Sequence, residues 1–441
     1  MKQEIILYHS FIVLGSLLSF VVLVHMLYHR RNPSAVIAWI LSIIVMPYLA
    51  MPLYFIIGMR KRKNRYRKSP LLLENKYLNN SLPNRHFKLY TEATEAYAVL
   101  LDSIKEAKSS IYISMFIFEY DKTTKEILQA LISRAKEGVE IKILLDSLGS
   151  IYLYLTQYRL RELRDSGAKI EFFMPIFEMP LRNYINLRNH RKLYIFDKKK
   201  VLNTGGNLSD YYLGAVYSKT RWQDLMFLVE GKSVKEYFDL FASDWFYAAK
   251  ERLEPLEQEH EEGDILLQVV PSGPDMQRDV FYEMLLSNIY EAKEKICIIT
   301  PYFIPNGSLM EALIISRHKG VEITLITPKE ANHIIINLAR GSYMRELEEN
   351  GVKIYLHQGA MLHAKAIIFD AKCVVLGSAN FDNRSLFLNY EVATFVYNDS
   401  IIKEIELWSN TLIEESTLGS KSVSAIRRIF ENFMRIFSPQ L

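Results

Sequence analysis

Two uncharged and largely apolar stretches, 5–27 and 35–57, open the chain and are separated by His29-Arg30-Arg31-Asn32-Pro33. Each exceeds the roughly 20 residues a helix needs to span a bilayer, so the pattern predicts a transmembrane helical hairpin. The first stretch is too long for a cleaved signal peptide, and a second follows at once. Pro47 and Pro52 would kink or tilt the second helix, which a membrane tolerates. Residues 69–88 are polar and read as a linker. From Leu89 the period alternates: helices are predicted over 95–107, 123–136 and 155–166, and strands over 110–118, 140–145 and 169–173, before a long loop leads to His190.

The second half repeats this order, with helices predicted over 279–292, 308–318 and 342–349 and strands over 295–300, 320–326 and 352–356. Gly138-Val139-Glu140-Ile141 recurs 182 residues later as Gly320-Val321-Glu322-Ile323, and Gly167-Ala168-Lys169-Ile170 recurs after 184 as Gly351-Val352-Lys353-Ile354. Near-constant offsets indicate duplication. The fold class is therefore α/β, two duplicated α/β/α halves with mixed central sheets, preceded by the hairpin. The expected divisions are a hairpin over 1–59, a basic juxtamembrane linker over 60–88, halves over 89–253 and 264–418 joined by a Glu-rich connection over 254–263, and an amphipathic basic helix over 419–441. In that last segment Ile426, Ile429, Phe430, Phe433, Ile436 and Phe437 keep helical spacing among Arg427, Arg428 and Arg435. Packing on the core and lying on a membrane surface both fit. The first half also carries an extra loop over 174–188, suited to covering a site.

Charge sharpens the membrane end. Residues 60–68 hold seven cations, a run that favours the cytoplasmic side and anionic headgroups, against two arginines in the inter-helix turn. Two crossings would leave both termini in the cytoplasm, and a re-entrant hairpin would leave the main domain on the same side. Residues 1–59 contribute +2 and 60–68 contribute +7, so the whole-chain charge of +4 leaves 69–441 at −5. An acidic folded part argues against a nucleic-acid partner. Cys297 and Cys373 lie in apolar runs and read as buried small hydrophobes in a reducing compartment.

The candidate chemistry occurs twice. His190-Arg191-Lys192, with Asp197 and Asn207, is matched by His363-Ala364-Lys365, with Asp370 and Asn380 at the same offsets. Period two puts each His and its Lys on one strand face. An ammonium repels a cation and no further ligand is near, so a metal is not expected. A phosphate is: at ~4 Å an ammonium–phosphate pair is worth about 4 kcal/mol at an effective dielectric of about 20. Asn207, Asn380, Ser378 and the N–H groups of Gly205, Gly206 and Gly377 are candidate donors to the phosphoryl oxygens. Two imidazoles can divide the work without a cofactor, one attacking phosphorus while the other protonates the leaving alkoxide and later deprotonates the incoming alcohol. Asp197 and Asp370 can orient a histidine or cap a turn. Glu391 and Asp224 each open an apolar strand, where either can fix an imidazole tautomer or be an ordinary edge charge.

The doubled His-x-Lys-x4-Asp motif resembles that of the phospholipase D superfamily, and the chain is similar to its bacterial cardiolipin synthases. Arg188-Asn189-His190-Arg191-Lys192, Ser272-Gly273-Pro274-Asp275, Thr300-Pro301-Tyr302-Phe303-Ile304-Pro305, Leu362-His363-Ala364-Lys365 and Gly377-Ser378-Ala379-Asn380 carry the likeness, as does the hairpin with Asn32-Pro33-Ser34-Ala35. In the first motif the positions aligned with Gly377-Ser378 hold Thr204-Gly205, and the glycine pair Gly205-Gly206 before Asn207 is shifted by one. The resemblance implies two phospholipase D-like halves forming one catalytic unit in a bacterial cell (inner) membrane, multi-pass, with the catalytic domain in the cytoplasm. It implies metal-independent transphosphatidylation, two phosphatidylglycerols giving cardiolipin and glycerol through a phosphatidyl-histidine; water or another alcohol as acceptor is the alternative. It further implies His190 as nucleophile and His363 as acid and base, the reverse fitting equally, with Lys192, Lys365, Asn207 and Asn380 on the phosphate and Glu391 behind a histidine. It names no protein partner.

Overall fold

The computed structural model describes residues 2–28, 33–57, 81–177, 186–257, 263–276, 278–435 and 438. Its centre is a single 15-stranded sheet. Three parallel strands lie towards each side of it: Ser110–Met115, Glu140–Asp146 and Lys169–Phe173 in the first half, and Lys295–Ile299, Glu322–Pro328 and Lys353–His357 in the second. Near-continuous burial along Ser110–Met115 and Glu140–Asp146 suits strands covered on both faces by helices. Inward of each triplet comes an antiparallel hairpin, Leu193–Phe196 with Lys200–Thr204 and Ala366–Phe369 with Cys373–Gly377. Met226–Gly231 and Glu391–Tyr397 follow. The halves join where Leu82–Tyr90 pairs antiparallel with Ile265–Ser272.

The two mixed sheets expected from the sequence thus run into one. Leu82–Tyr90, most of which falls in the expected linker, is a nine-residue strand. Pro83 obscured it, since proline is tolerated only near a strand's start or edge. On one face of the sheet each half has its own apolar core, Ile113, Leu131 and Ile143 in the first and Ile298, Leu313 and Ile323 in the second. On the other face the cores cross between halves. Tyr237, Phe238 and Trp245 of the helix Ser233–Ala249 cluster with Val269 and Tyr390, and Ile401 and Ile405 of the helix Asp399–Glu414 cluster with Phe87 and Phe227.

Some elements differ from expectation. The single helix over 155–166 is three short pieces, Ile151–Leu155, Gln157–Leu160 and Arg161–Asp165. The helix expected over 342–349 begins earlier and runs Ile334–Glu349 through Gly341. That glycine is required by a close approach, because a Cβ there would come 2.8 Å from the Glu431 carboxylate. Glu431 belongs to the C-terminal helix Ala425–Met434, which docks through its polar side: Glu431 is buried and pairs with Arg345 and Arg427, while Ile426, Ile429, Phe430 and Phe433 face outward.

At the N-terminus, helices Lys2–Tyr28, Pro33–Val45 and Pro47–Ile57 pack through Val22, Met26, Ile43, Ala50, Met51 and Tyr54. Pro47 has no N–H to continue the preceding turn, so the second apolar stretch is divided at Met46. Pieces of 13 and 11 residues reach about 20 and 16 Å, short of the ~30 Å hydrocarbon core. Among the described residues no helix is long and apolar enough to cross a membrane, so the expected pair of spanning helices is not supported by the fold. The basic run 60–68, most of the linker, residues 178–185 of the extra loop, 258–262 of the connection, and Ile436 and Phe437 lie outside the described residues.

Candidate active site

Both His-x-Lys triplets lie just before a hairpin strand rather than within it. Leu193–Phe196 and Ala366–Phe369 are wholly buried in the sheet and anchor what precedes them. The segments that precede them pair with the opposite half. The His190 N–H donates to the Tyr390 carbonyl at 2.9 Å, and the His363 N–H to the Gln223 carbonyl at 2.7 Å. Each histidine backbone is therefore fixed by the half it does not belong to.

The side chains cross in the same way. His190 Nδ1 lies 2.9 and 3.0 Å from the two Glu391 oxygens, and His363 Nδ1 lies 2.6 Å from Asp224 Oδ2. Lys192 Nζ donates to the His190 carbonyl at 2.8 Å. Lys365 Nζ donates to the Gly205 carbonyl at 3.3 Å and lies 2.6 Å from His363 Nδ1. Both histidines and both lysines are buried.

Burial pushes His190 down to about 4, with Glu391 partly offsetting it, and burial together with the Lys365 ammonium pushes His363 down to about 3. Burial likewise lowers Lys192 to about 7 and Lys365 to about 8. A carboxylate on Nδ1 fixes the neutral His190 ring with its lone pair on Nε2, the form that attacks or accepts a proton, and Asp224 favours the same tautomer at His363, where the Lys365 ammonium competes for Nδ1. An entering phosphodiester anion favours the charged ammonium and imidazolium forms that burial disfavours. The arrangement can bind one phosphoryl group between two cations and offer it a nucleophile and an acid. Among the described residues no group of three or more His, Cys, Asp or Glu side chains could hold a metal ion.

A family model described as "Cardiolipin synthase, PLD-like domain" matches residues 100–245 and 285–413. The chain belongs to this phospholipase D-like cardiolipin synthase family. A second model, "Phospholipase_D-nuclease N-terminal", matches residues 17–58. A cardiolipin synthase of Clostridium perfringens is 31% identical, covering 93% of this chain and 95% of its own. The major cardiolipin synthase ClsA of Bacillus subtilis is 30% identical over the whole of both chains. Among solved structures, phosphatidylserine synthase of Haemophilus influenzae has a TM-score of 0.65 at 14% identity, covering 82% of this chain and 98% of that one. Polyphosphate kinase of Porphyromonas gingivalis has a TM-score of 0.51 at 15% identity, covering 73% and 49%. Both likenesses are of fold.

Within this cardiolipin synthase-like site, His190, Lys192, His363, Lys365, Glu391 and Asp224 come together. Asn207 and Asn380 are also buried, and each has an amide oxygen lacking a partner, an acceptor that can take a substrate hydroxyl but not a phosphoryl oxygen. Five candidate residues are engaged elsewhere, Asp197 and Asp370 in the turn-capping role that was the alternative to orienting a histidine. Asp197 and Asp370 do not reach the histidines: Asp197 Oδ1 accepts from the N–H groups of Lys108, Ser109 and Ser110 at 3.0, 2.6 and 3.0 Å, and Asp370 accepts from those of Lys293, Glu294 and Lys295. Both carboxylates stay below the usual range, because these bonds outweigh the opposing effect of burial. The Ser378 hydroxyl donates to Glu391 Oε2 at 2.6 Å, not towards a phosphate. The Gly205 N–H is spent on the Leu225 carbonyl and the Gly206 N–H on the Thr204 hydroxyl.

The sequence also passed over residues that build the site. Arg191 is buried, holds both Asp244 oxygens at 2.7 Å, and donates to the Glu391 carbonyl at 3.1 Å. The Asp146 carboxylate accepts from the Asn189 N–H at 2.9 Å and from Arg188 at 3.2 Å. Tyr212, Trp222 and Tyr302 surround the His363 ring with centroids 5.0, 5.4 and 6.3 Å away. The available signals were that Arg188, Asn189, Arg191 and Tyr302 stand in the stretches that carry the likeness, and that Arg191 and Ala364 differ at the centre of otherwise matching triplets.

Proposed function

We propose that the chain is a membrane-bound phosphatidyltransferase that converts two phosphatidylglycerols to cardiolipin and glycerol. The observation carrying this reading is the crossed pair of buried dyads, His190 on Glu391 and His363 on Asp224, with Lys192 and Lys365 beside them. His190 Nε2 attacks phosphorus, the bond from phosphorus to the glycerol oxygen breaks, and His363 Nε2 delivers a proton to that oxygen. The acceptor hydroxyl of a second phosphatidylglycerol then gives its proton to His363, its oxygen bonds phosphorus, and the phosphorus–nitrogen bond breaks to release His190. Lys192, Lys365, Asn207 and Asn380 hold the phosphoryl group, and the two lysines supply the positive charge that a metal supplies elsewhere. The N-terminal helices anchor the chain in a bacterial cell membrane, with the catalytic halves on the cytoplasmic side. Exposed Leu17, Phe20, Ile37, Leu41 and Ile44 on those helices support an apolar surround.

The test is product analysis of the purified full chain with phosphatidylglycerol vesicles and a chelator. Cardiolipin and free glycerol in equal amounts are expected. Phosphatidic acid as the dominant product would replace transfer by hydrolysis, and DNA cleavage without lipid turnover would overturn the reaction class.

A further inference from the structure

The two copies of the motif share their offsets but differ at one position that meets the chemistry. Five residues beyond Asn207 stands Tyr212, and five beyond Asn380 stands Ser385. Tyr212 is 7% exposed and places its hydroxyl 3.4 Å from His363 Nε2. The Asn207 amide donates to the same hydroxyl oxygen at 3.1 Å. Ser385 lies in the short helix Asn383–Phe387 with its hydroxyl buried and unpartnered. His190 has Phe116 against its ring at 4.8 Å, and its Nε2 makes no hydrogen bond among the described residues. The duplicated site is therefore asymmetric, with a tyrosine hydroxyl at the reactive nitrogen of His363 alone.

With Asn207 donating to its oxygen, the Tyr212 O–H has its proton free to aim at Nε2 or at an atom arriving there. Burial, with the Asp224 carboxylate adding to it, raises Tyr212 well above the usual tyrosine range, so the proton stays on the oxygen. A separation of 3.4 Å is long for this bond, and apo contacts of this kind tighten or open when substrate arrives. A hydroxyl oxygen entering between the two groups can accept from Tyr212 while it donates to His363 Nε2. The Tyr212 and Trp222 rings, at 5.0 Å from each other, offer an apolar wall to the carbon chain carrying that hydroxyl.

We propose that Tyr212 holds the acceptor hydroxyl in the second half-reaction and thereby favours an alcohol over water. This rests on the phosphatidyl-transfer reading above. In that step the phosphorus–oxygen bond to the acceptor forms as the phosphorus–nitrogen bond to His190 breaks. The hydroxyl proton passes to His363 Nε2, and the electron pair of the broken bond returns to His190. Water, at far higher concentration and small enough to reach phosphorus without a fixed seat, depends less on Tyr212.

The experiment compares the full wild-type chain with Tyr212→Phe on phosphatidylglycerol vesicles and reads the ratio of cardiolipin to phosphatidic acid. The ratio depends neither on the rate of the first step nor on the fraction of folded protein, so a merely structural role would leave it in place. A fall of about three- to tenfold is expected, the worth of one hydrogen bond. An unchanged or increased ratio, even with slower total turnover, overturns the assignment. Wild-type protein that forms no cardiolipin sinks the transferase reading itself, and this assignment with it.

Discussion

Glu391 and Asp224 differ in length and lie in opposite halves, yet each meets an Nδ1 nitrogen from across the junction. Glu391 is fully buried, and His190, Lys192 and the Ser378 hydroxyl more than offset the burial that would raise its pKa. An amide in place of either carboxylate keeps the shape and loses the tautomer control. Glu391→Gln and Asp224→Asn should each lower the rate of phosphatidyl transfer by about 10²–10⁴-fold with little change in melting temperature. Initial rates within a few-fold of wild type would remove the carboxylates from the chemistry. The His and Lys positions were legible because their spacing is local and occurs twice. The partner of each histidine was not, since the sequence allows either carboxylate on either ring. Tyr212 and Trp222 escaped notice for the same reason: only the junction brings them to His363, 151 residues from Tyr212.

At the scale of elements, the Asp residues of the doubled motif close the hairpins and do not reach the histidines. Asp197 and Asp370 occupy positive-φ turn positions, at φ 51° and 50°, and gather the N–H groups that open the neighbouring strands. A hairpin strand separates them from the histidines, about 16 Å from Lys192 to Asp197. Asp197→Ala should therefore cost about 1.5–3 kcal/mol of stability, the worth of hydrogen bonds to a charged group, and lower the melting temperature. Turnover per folded molecule should hold. A large loss of turnover at unchanged melting temperature would return Asp197 to the active site. Helices and strands with an unbroken period were readable, including 123–136 and 169–173. The helix Ile334–Glu349 was only half readable, because Gly341 looks like a helix breaker until Glu431 is seen against it.

Across the whole molecule, duplication was written in the 182- and 184-residue offsets, while the continuous sheet was not. Its seam, Leu82–Tyr90 on Ile265–Ser272, uses strands outside the repeated signatures, one of them hidden by Pro83. That seam aligns the halves so that each supplies the carboxylate the other half's histidine needs. One centre with two unequal histidines follows, and the proposed transfer passes through a covalent intermediate on one ring. The measurement is peptide mapping by mass spectrometry after rapid, non-acidic quenching of the full chain turning over phosphatidylglycerol. The phosphatidyl group is expected on the peptide that carries His190. Its appearance on the His363 peptide, or full turnover with neither peptide modified, would contradict the mechanism.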